Sequence, residues 1–199
     1  MPAYKATLGT GLFPETLITQ RIQESGWSPI PNKLASVHNY HGIKADAGWT
    51  GKVISISTHE ELSPGKRTLF SGTGLVYKNR AEALAKGAHH QTLFRVFNTL
   101  EDGFRGWVQF LQKNSRYTKA GVFTAKTPQE QFAALKAAGF ATDSRYVQAL
   151  TSVYNGLASS FAAWRKEAEA DLKKKVNSTS LGGLFSNVSD GLRFFFTGK

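Results

Sequence analysis

The residues whose types and spacing best suit chemistry lie in Ile22-Gln23-Glu24-Ser25-Gly26-Trp27. Glu24 falls at the C-terminal end of a segment with helical spacing, beside Trp27 and on the apolar side that bears Ile22. Two effects raise a carboxyl pKa there: loss of water in an aromatic pocket and the negative end of the helix dipole. A carboxylic acid still protonated near neutral pH is the general acid that glycosidic-bond cleavage requires. Taken alone, a Glu at a helix end is far more often a solvated surface residue, and context must supply the rest. The histidines His38, His41, His59, His89 and His90 include His-x-x-His spacing without a third ligand on the same element, so no metal or other cofactor is expected. Ser25 and Ser28 lack the partners of a nucleophilic triad. Gly72-Thr73-Gly74 lacks the strand–loop–helix context of a phosphate cradle.

These residues need elements to hold them. Pro14 opens a helix over Glu15–Trp27 with Leu17, Ile18 and Ile22 on its apolar side, ending near Ser25-Gly26. Gly51–Thr58 alternates Val53, Ser55 and Ser57 against Ile54 and Ile56, which predicts one strand. Ser63-Pro64-Gly65-Lys66 is its turn, and the return is Arg67–Ser71, Thr92–Phe97, or both. Residues 72–91 read as an insertion in that hairpin, with a short helix-like stretch at Asn79–Lys86. From Thr99, Phe104, Trp107, Val108 and Leu111 form one apolar helix face. Thr127 caps a helix over Pro128–Ala138 with Glu130 completing the capping box, and Gly139 ends it. Thr142 or Asp143 caps a further helix from Ser144 to about Val176.

Six short boxes in order resemble one family. Glu24-Ser25-Gly26-Trp27 is followed by Asn39-Tyr40-His41-Gly42-Ile43-Lys44, Thr58-His59-Glu60, Phe94-Arg95-Val96-Phe97, Asn114-Ser115-Arg116-Tyr117, and Gly139-Phe140-Ala141-Thr142-Asp143 with Tyr146 three residues on. Over about residues 12–154 the chain resembles the bacterial glucosaminidases of glycoside hydrolase family seventy-three, relatives of the flagellar peptidoglycan hydrolase and of autolysins. The resemblance implies an α+β, lysozyme-like fold: a mainly helical core with a small β-hairpin lobe over the substrate groove. It implies Glu24 as general acid and Glu60, or its neighbour Glu61, as second carboxylate. Asn39 and Phe140 are then expected at the substrate, and Tyr146 is a further candidate for an orienting role. Trp27, Tyr40 and Tyr117 have rings suited to stack on pyranose faces, whereas Trp49 reads as a packing residue of the lobe. One departure stands out: Phe140 occupies a position where the family usually has Tyr, keeping the ring and losing the hydroxyl. The implied activity is hydrolysis of β-1,4 bonds of the glycan strand, as an endo-β-N-acetylglucosaminidase. Its alternatives are a muramidase or lytic transglycosylase, or a non-catalytic wall-binding part of a virion or secretion apparatus.

Charge and composition agree with such a partner. The 199 residues carry a net charge of +11 with no cysteine, so disulfides and thiolate chemistry are excluded. The charge is spread, +8 over residues 1–154 and +3 over 155–199, and no nucleic-acid motif accompanies it, so the anionic cell wall is the expected polymer and nucleic acid is not. The expected organisation is a catalytic domain at 1–154, an extended helix at 155–176, and a linker with a Phe-rich tail at 177–199. Leu184–Phe196 of that tail would meet a membrane or protein partner. No apolar signal segment is recognised, so delivery by a holin, a virion or a secretion apparatus is expected.

Overall fold

A computed structural model describes residues 2–25, 33–63, 65–141 and 143–178. Trp27 and Leu184–Phe196 lie outside the described residues, as does the side chain of Glu61. The chain forms two compact units, one from residues up to 23 together with those from 111 on, the other from residues 24–110.

The first unit is helical. It holds α1 (Pro2–Thr7), most of α2 (Pro14–Ser25), and, after α4 (Leu100–Lys113), the helices α5 (Ser115–Lys119), α6 (Pro128–Ala137), α7 (Tyr146–Gly156) and α8 (Ala158–Ser178). The start of α6 follows its capping box: Thr127 Oγ1 accepts from the Glu130 amide at 3.1 Å, and Glu130 accepts from the Lys126 amide at 2.7 Å. Buried Gln131 on α6 then fastens the loops before α2 and after α5, accepting from the Phe13 amide and donating to the Gly11 and Val122 carbonyls. Gly11 has φ +74°, and a Cβ there would fall 2.2 Å from the Phe123 carbonyl oxygen, so glycine alone fits.

The single helix expected over 144–176 is two helices. Leu157 leaves the helical path at φ −112°, ψ 4°, and its amide bonds the Tyr154 carbonyl three residues back. This turns Leu157 into a cluster with Ile22 and Phe161, against which Ile18, Val153, Tyr154 and Trp164 pack. Gly156, a weak helix former, marks the break. The α8 helix thereby contributes Phe161 and Trp164 to this unit's core.

The second unit holds β1 (Val53–Ser55), β2 (Thr58–Ser63), β3 (Lys66–Phe70), β4 (Val76–Tyr77), α3 (Arg80–Ala85), β5 (Leu93–Arg95) and most of α4. The expected strand Gly51–Thr58 is broken at Ile56-Ser57. Residues 72–75 cross it there: the Gly72 amide donates to Ser57 Oγ, Gly74 to the Ser55 carbonyl, and a Cβ on Gly72 would lie 2.3 Å from the Ile56 backbone. The two halves accordingly join different sheets. β1 is the centre of an antiparallel sheet ordered β4-β1-β5, with Ile54 opposite Phe94 and Val76, while β2 and β3 pair antiparallel in a second sheet, with Glu60 opposite Thr68. Both expected returns are used, Arg67–Phe70 by β2 and Leu93–Arg95 by β1. Residues 72–91 supply the edge strand β4 and the Asn79-capped helix α3. Ala45, Val53, Tyr77, Ala83, Ala88 and Leu93 make one core of the unit, and Val37, Ile54 and Phe94 another. The α4 helix buries Phe104, Trp107, Val108 and Leu111, the face read from the sequence.

Candidate active site

Glu24 stands in the last turn of α2, where the helix's final carbonyls lack intrahelical partners. Its side chain reaches solvent, yet desolvation by the surrounding protein pushes its carboxyl above the ordinary range. A carboxyl that is both reachable and desolvated is suited to hold a proton and then deliver it. One turn earlier on the same helix, buried Gln20 donates to the Tyr146 hydroxyl at 2.5 Å, which fixes α2 to the start of α7.

Glu60 is set in the opposite way. Its Oε1 accepts from Lys44 Nζ at 2.6 Å and from Thr58 Oγ1 at 3.0 Å. Partial desolvation alone would raise its pKa, but the Lys44 and Thr58 hydrogen bonds and the Lys44 charge outweigh it and hold the carboxyl below the ordinary range. Lys44 is itself held: Nζ donates to the Gln91 carbonyl at 2.5 Å and lies 4.1 Å from the centre of the Phe94 ring. Its backbone bridges Phe94 of β5, with the Ala45 amide on the Leu93 carbonyl and the Arg95 amide on the Ile43 carbonyl. Arg95 adds a side-chain bond to the Lys44 carbonyl and an ion pair to Asp46 at 2.7 Å. Glu61 follows Glu60 on β2, its backbone opposite Arg67.

Several residues expected at the substrate are structural. Asn39 is buried; its Nδ2 donates to the Ile43 and Arg95 carbonyls and its Oδ1 accepts from the Ile43 amide, which clasps the 39–43 loop and spends its polar atoms. Tyr117 is 0% exposed, with its hydroxyl accepting from Arg116 at 2.6 Å, so its ring offers no face to a sugar. Half-buried Phe140 lies between Tyr117 and Tyr146, ring centres 6.3 and 6.0 Å away, and Tyr146 is buried. Tyr40 keeps a partly exposed ring. Trp49 packs on the core beneath β1, with Arg95 over its ring and Phe97 edge-on, as a lobe packing residue should. Lys44 and Thr58 carried no role in the sequence reading; both lie in the boxes that flank Glu60, which is the signal that marks them. Among the described residues no cluster of His, Asp and Glu could hold a metal.

A helical chain with a small β-lobe, bearing one desolvated carboxyl at a helix end and one ionised carboxylate on the hairpin, has the make-up of a lysozyme-like glycoside hydrolase. Residues 2–159 match the glucosaminidase family, described as mannosyl-glycoprotein endo-beta-N-acetylglucosaminidase, and the chain belongs to that family. It is 29% identical over 188 residues to the peptidoglycan hydrolase FlgJ of Salmonella typhimurium, covering 93% of this chain and 49% of that protein, so it spans about half the length of this relative. The solved glycoside hydrolase domain of Salmonella typhimurium FlgJ superposes with a TM-score of 0.58 at 27% identity, covering 87% of this chain and 92% of that one. A mutant peptidoglycan hydrolase from Sphingomonas sp. A1 gives 0.55 at 29% identity, covering 79% and 88%. The catalytic domain of the autolysin Auto from Listeria monocytogenes gives 0.57 at 20% identity, covering 78% and 77%, a likeness of fold.

Proposed function

We propose that this chain hydrolyses β-1,4 glycosidic bonds in the glycan strand of peptidoglycan, as an endo-β-N-acetylglucosaminidase acting on the bacterial cell wall. Glu24 protonates the leaving oxygen. Glu60, held ionised, assists the attacking water or stabilises the oxocarbenium-like charge. The observation that carries this reading is the opposed setting of the two carboxyls, one raised by desolvation and the other lowered by donors, the division between acid and carboxylate that glycoside cleavage demands. Tyr40, Trp27 and Phe140 are the residues we assign to sugar contact. The net charge of +11 favours approach to an anionic polymer.

The test is mass spectrometry of muropeptides released from purified wall. New reducing-end N-acetylglucosamine supports the assignment; reducing-end N-acetylmuramic acid indicates a muramidase, and an anhydro-sugar a lytic transglycosylase. Binding without release of reducing ends indicates a wall-binding protein. Glu24→Gln should abolish release, and full turnover in that variant refutes the proposed acid.

A further inference from the structure

We infer that Lys44 is the positioning residue of the hairpin carboxylate: it ties one oxygen of Glu60 to strand β5 and leaves the other to face the reaction. The inference rests on the assignment of Glu60 as second carboxylate and deepens it.

The geometry is one-sided. Both donors to Glu60, Lys44 Nζ and Thr58 Oγ1, converge on Oε1, and among the described residues Oε2 has no hydrogen bond. The Glu60 side chain keeps 28% of its surface exposed, so Oε2 is open to water or substrate. A carboxylate bonded through a single oxygen has its remaining oxygen aimed rather than free to rotate, which is what orienting a water requires.

Lys44 is equipped to hold that aim and for little else. Its ammonium has three N–H groups; one goes to Glu60, one to the Gln91 carbonyl, and the charge lies against the Phe94 ring. Its backbone is laddered to β5 on both sides, so the anchor end is stiff. Glu60, by contrast, sits on a two-stranded hairpin, an element marginal on its own. The ion pair therefore joins a stiff strand to a pliant one at the residue whose position matters. Other charged or titratable groups on the packed elements are directed elsewhere or flank the site. Arg67 on β3 is in register with Glu61, and Asp46 pairs with Arg95. His59 precedes Glu60 on β2, Lys66 on β3 is in register with Ser63, and of His89 and His90, at the turn packed against β2, the first stacks on Phe70 and the second lies tilted against the first.

The experiment uses the full chain with Lys44→Met, Lys44→Arg and Glu60→Gln, following reducing-end release against pH and the Glu60 carboxyl by carbon-13 NMR titration. Lys44→Met should lower kcat on the order of 10²-fold at unchanged KM, the scale of a misplaced catalytic group. Its acidic limb and the Glu60 titration should both move to higher pH, and Lys44→Arg should return both toward wild type. If Lys44→Met does not fold by circular dichroism, Lys44→Gln, which keeps a donor without the charge, carries the same test. Wild-type kcat, limb and titration in a folded, uncharged variant overturn the positioning role while an inactive Glu60→Gln leaves the function intact. Full turnover in Glu60→Gln overturns the assignment of Glu60 and the role of Lys44 with it.

Discussion

Replacing Arg165 by methionine tests whether the last helix secures the helix that carries Glu24. Glu15, in the first turn of α2, is completely buried, and Arg165 of α8 hydrogen-bonds its Oε1 as an ion pair. Tyr4 lies over the same oxygen at 3.4 Å and shares its hydroxyl with the Phe161 carbonyl at 3.3 Å, so it is a weak substitute. Burial, then the Glu15 charge, raise the Tyr4 phenol well above its ordinary range, so this second donor stays protonated. Without Arg165 the Glu15 carboxyl must remain charged in an apolar setting or take up a proton. Protonating a carboxyl whose free pKa is near 4.3 costs about 3.7 kcal/mol at pH 7, the 1.36 kcal/mol per pH unit acting over about 2.7 units. That figure caps the electrostatic loss and agrees with the roughly 3–5 kcal/mol lost when one partner of a buried pair is removed. Arg165 itself is partly exposed, but the burial of the carboxylate left behind sets the size. For a chain of this length the loss corresponds to a fall in Tm of about 7–15 °C. Urea unfolding of both proteins at pH 7, followed by circular dichroism, checks this. A deficit below about 1 kcal/mol, the size of an exposed ion pair, refutes the reasoning.

Four further outcomes are expected. The pH profile of kcat/KM should be a broad bell, activity being lost on the acid side as Glu60 protonates below the ordinary carboxylate range and on the basic side as Glu24 ionises above it; limbs in the reverse assignment in single variants would refute the roles. Gly103→Ala would ordinarily stabilise a helix interior by about 0.5–1 kcal/mol; here the new Cβ would lie 2.0 Å from the His38 carbonyl oxygen, so thermal denaturation should show destabilisation instead. Asn39→Ala strips partners from the Ile43 amide and the Arg95 carbonyl, while the Ile43 carbonyl keeps the Arg95 amide, at about 1–3 kcal/mol for each buried group left unpaired, and amide exchange at Ile43 should accelerate. Phe140→Tyr restores the family's hydroxyl and should raise kcat by up to about tenfold, the worth of one hydrogen bond; reducing-end release that does not rise removes Phe140 from the site.

What could be read from the sequence was whatever a local rule decides. The capping box at Thr127–Glu130 and the buried face of α4 each depend on residues within a turn or two of one another, and the structure has both. The misjudged features depend on distant partners. The break between α7 and α8 places Leu157 against Ile22, and the split of the 51–58 strand is set by the backbone of Gly72 crossing Ile56. Neither leaves a mark on hydrophobic periodicity: β1 is buried at all three positions, so its alternation did not report which sheet it joins. The buried side of α2 carries Glu15, Thr16, Thr19 and Gln20, polar residues that a helical apolar stripe cannot reveal. The site divides along the same line. The helix-end setting of Glu24 was legible because a helix end and its neighbours lie within a few residues. The aim of Glu60 depends on Lys44, sixteen positions away on another element, and on Gln91 beyond it, so only the fold could connect them. The two carboxyls are therefore tuned by means of different range: Glu24 by removal of water around one helix end, Glu60 by two donors, Thr58 on its own strand and Lys44 on a separate segment. Substitutions scattered through the second unit should consequently disturb the hairpin carboxylate more readily than the acid, and the acidic limb of the pH profile is the place where such disturbance shows.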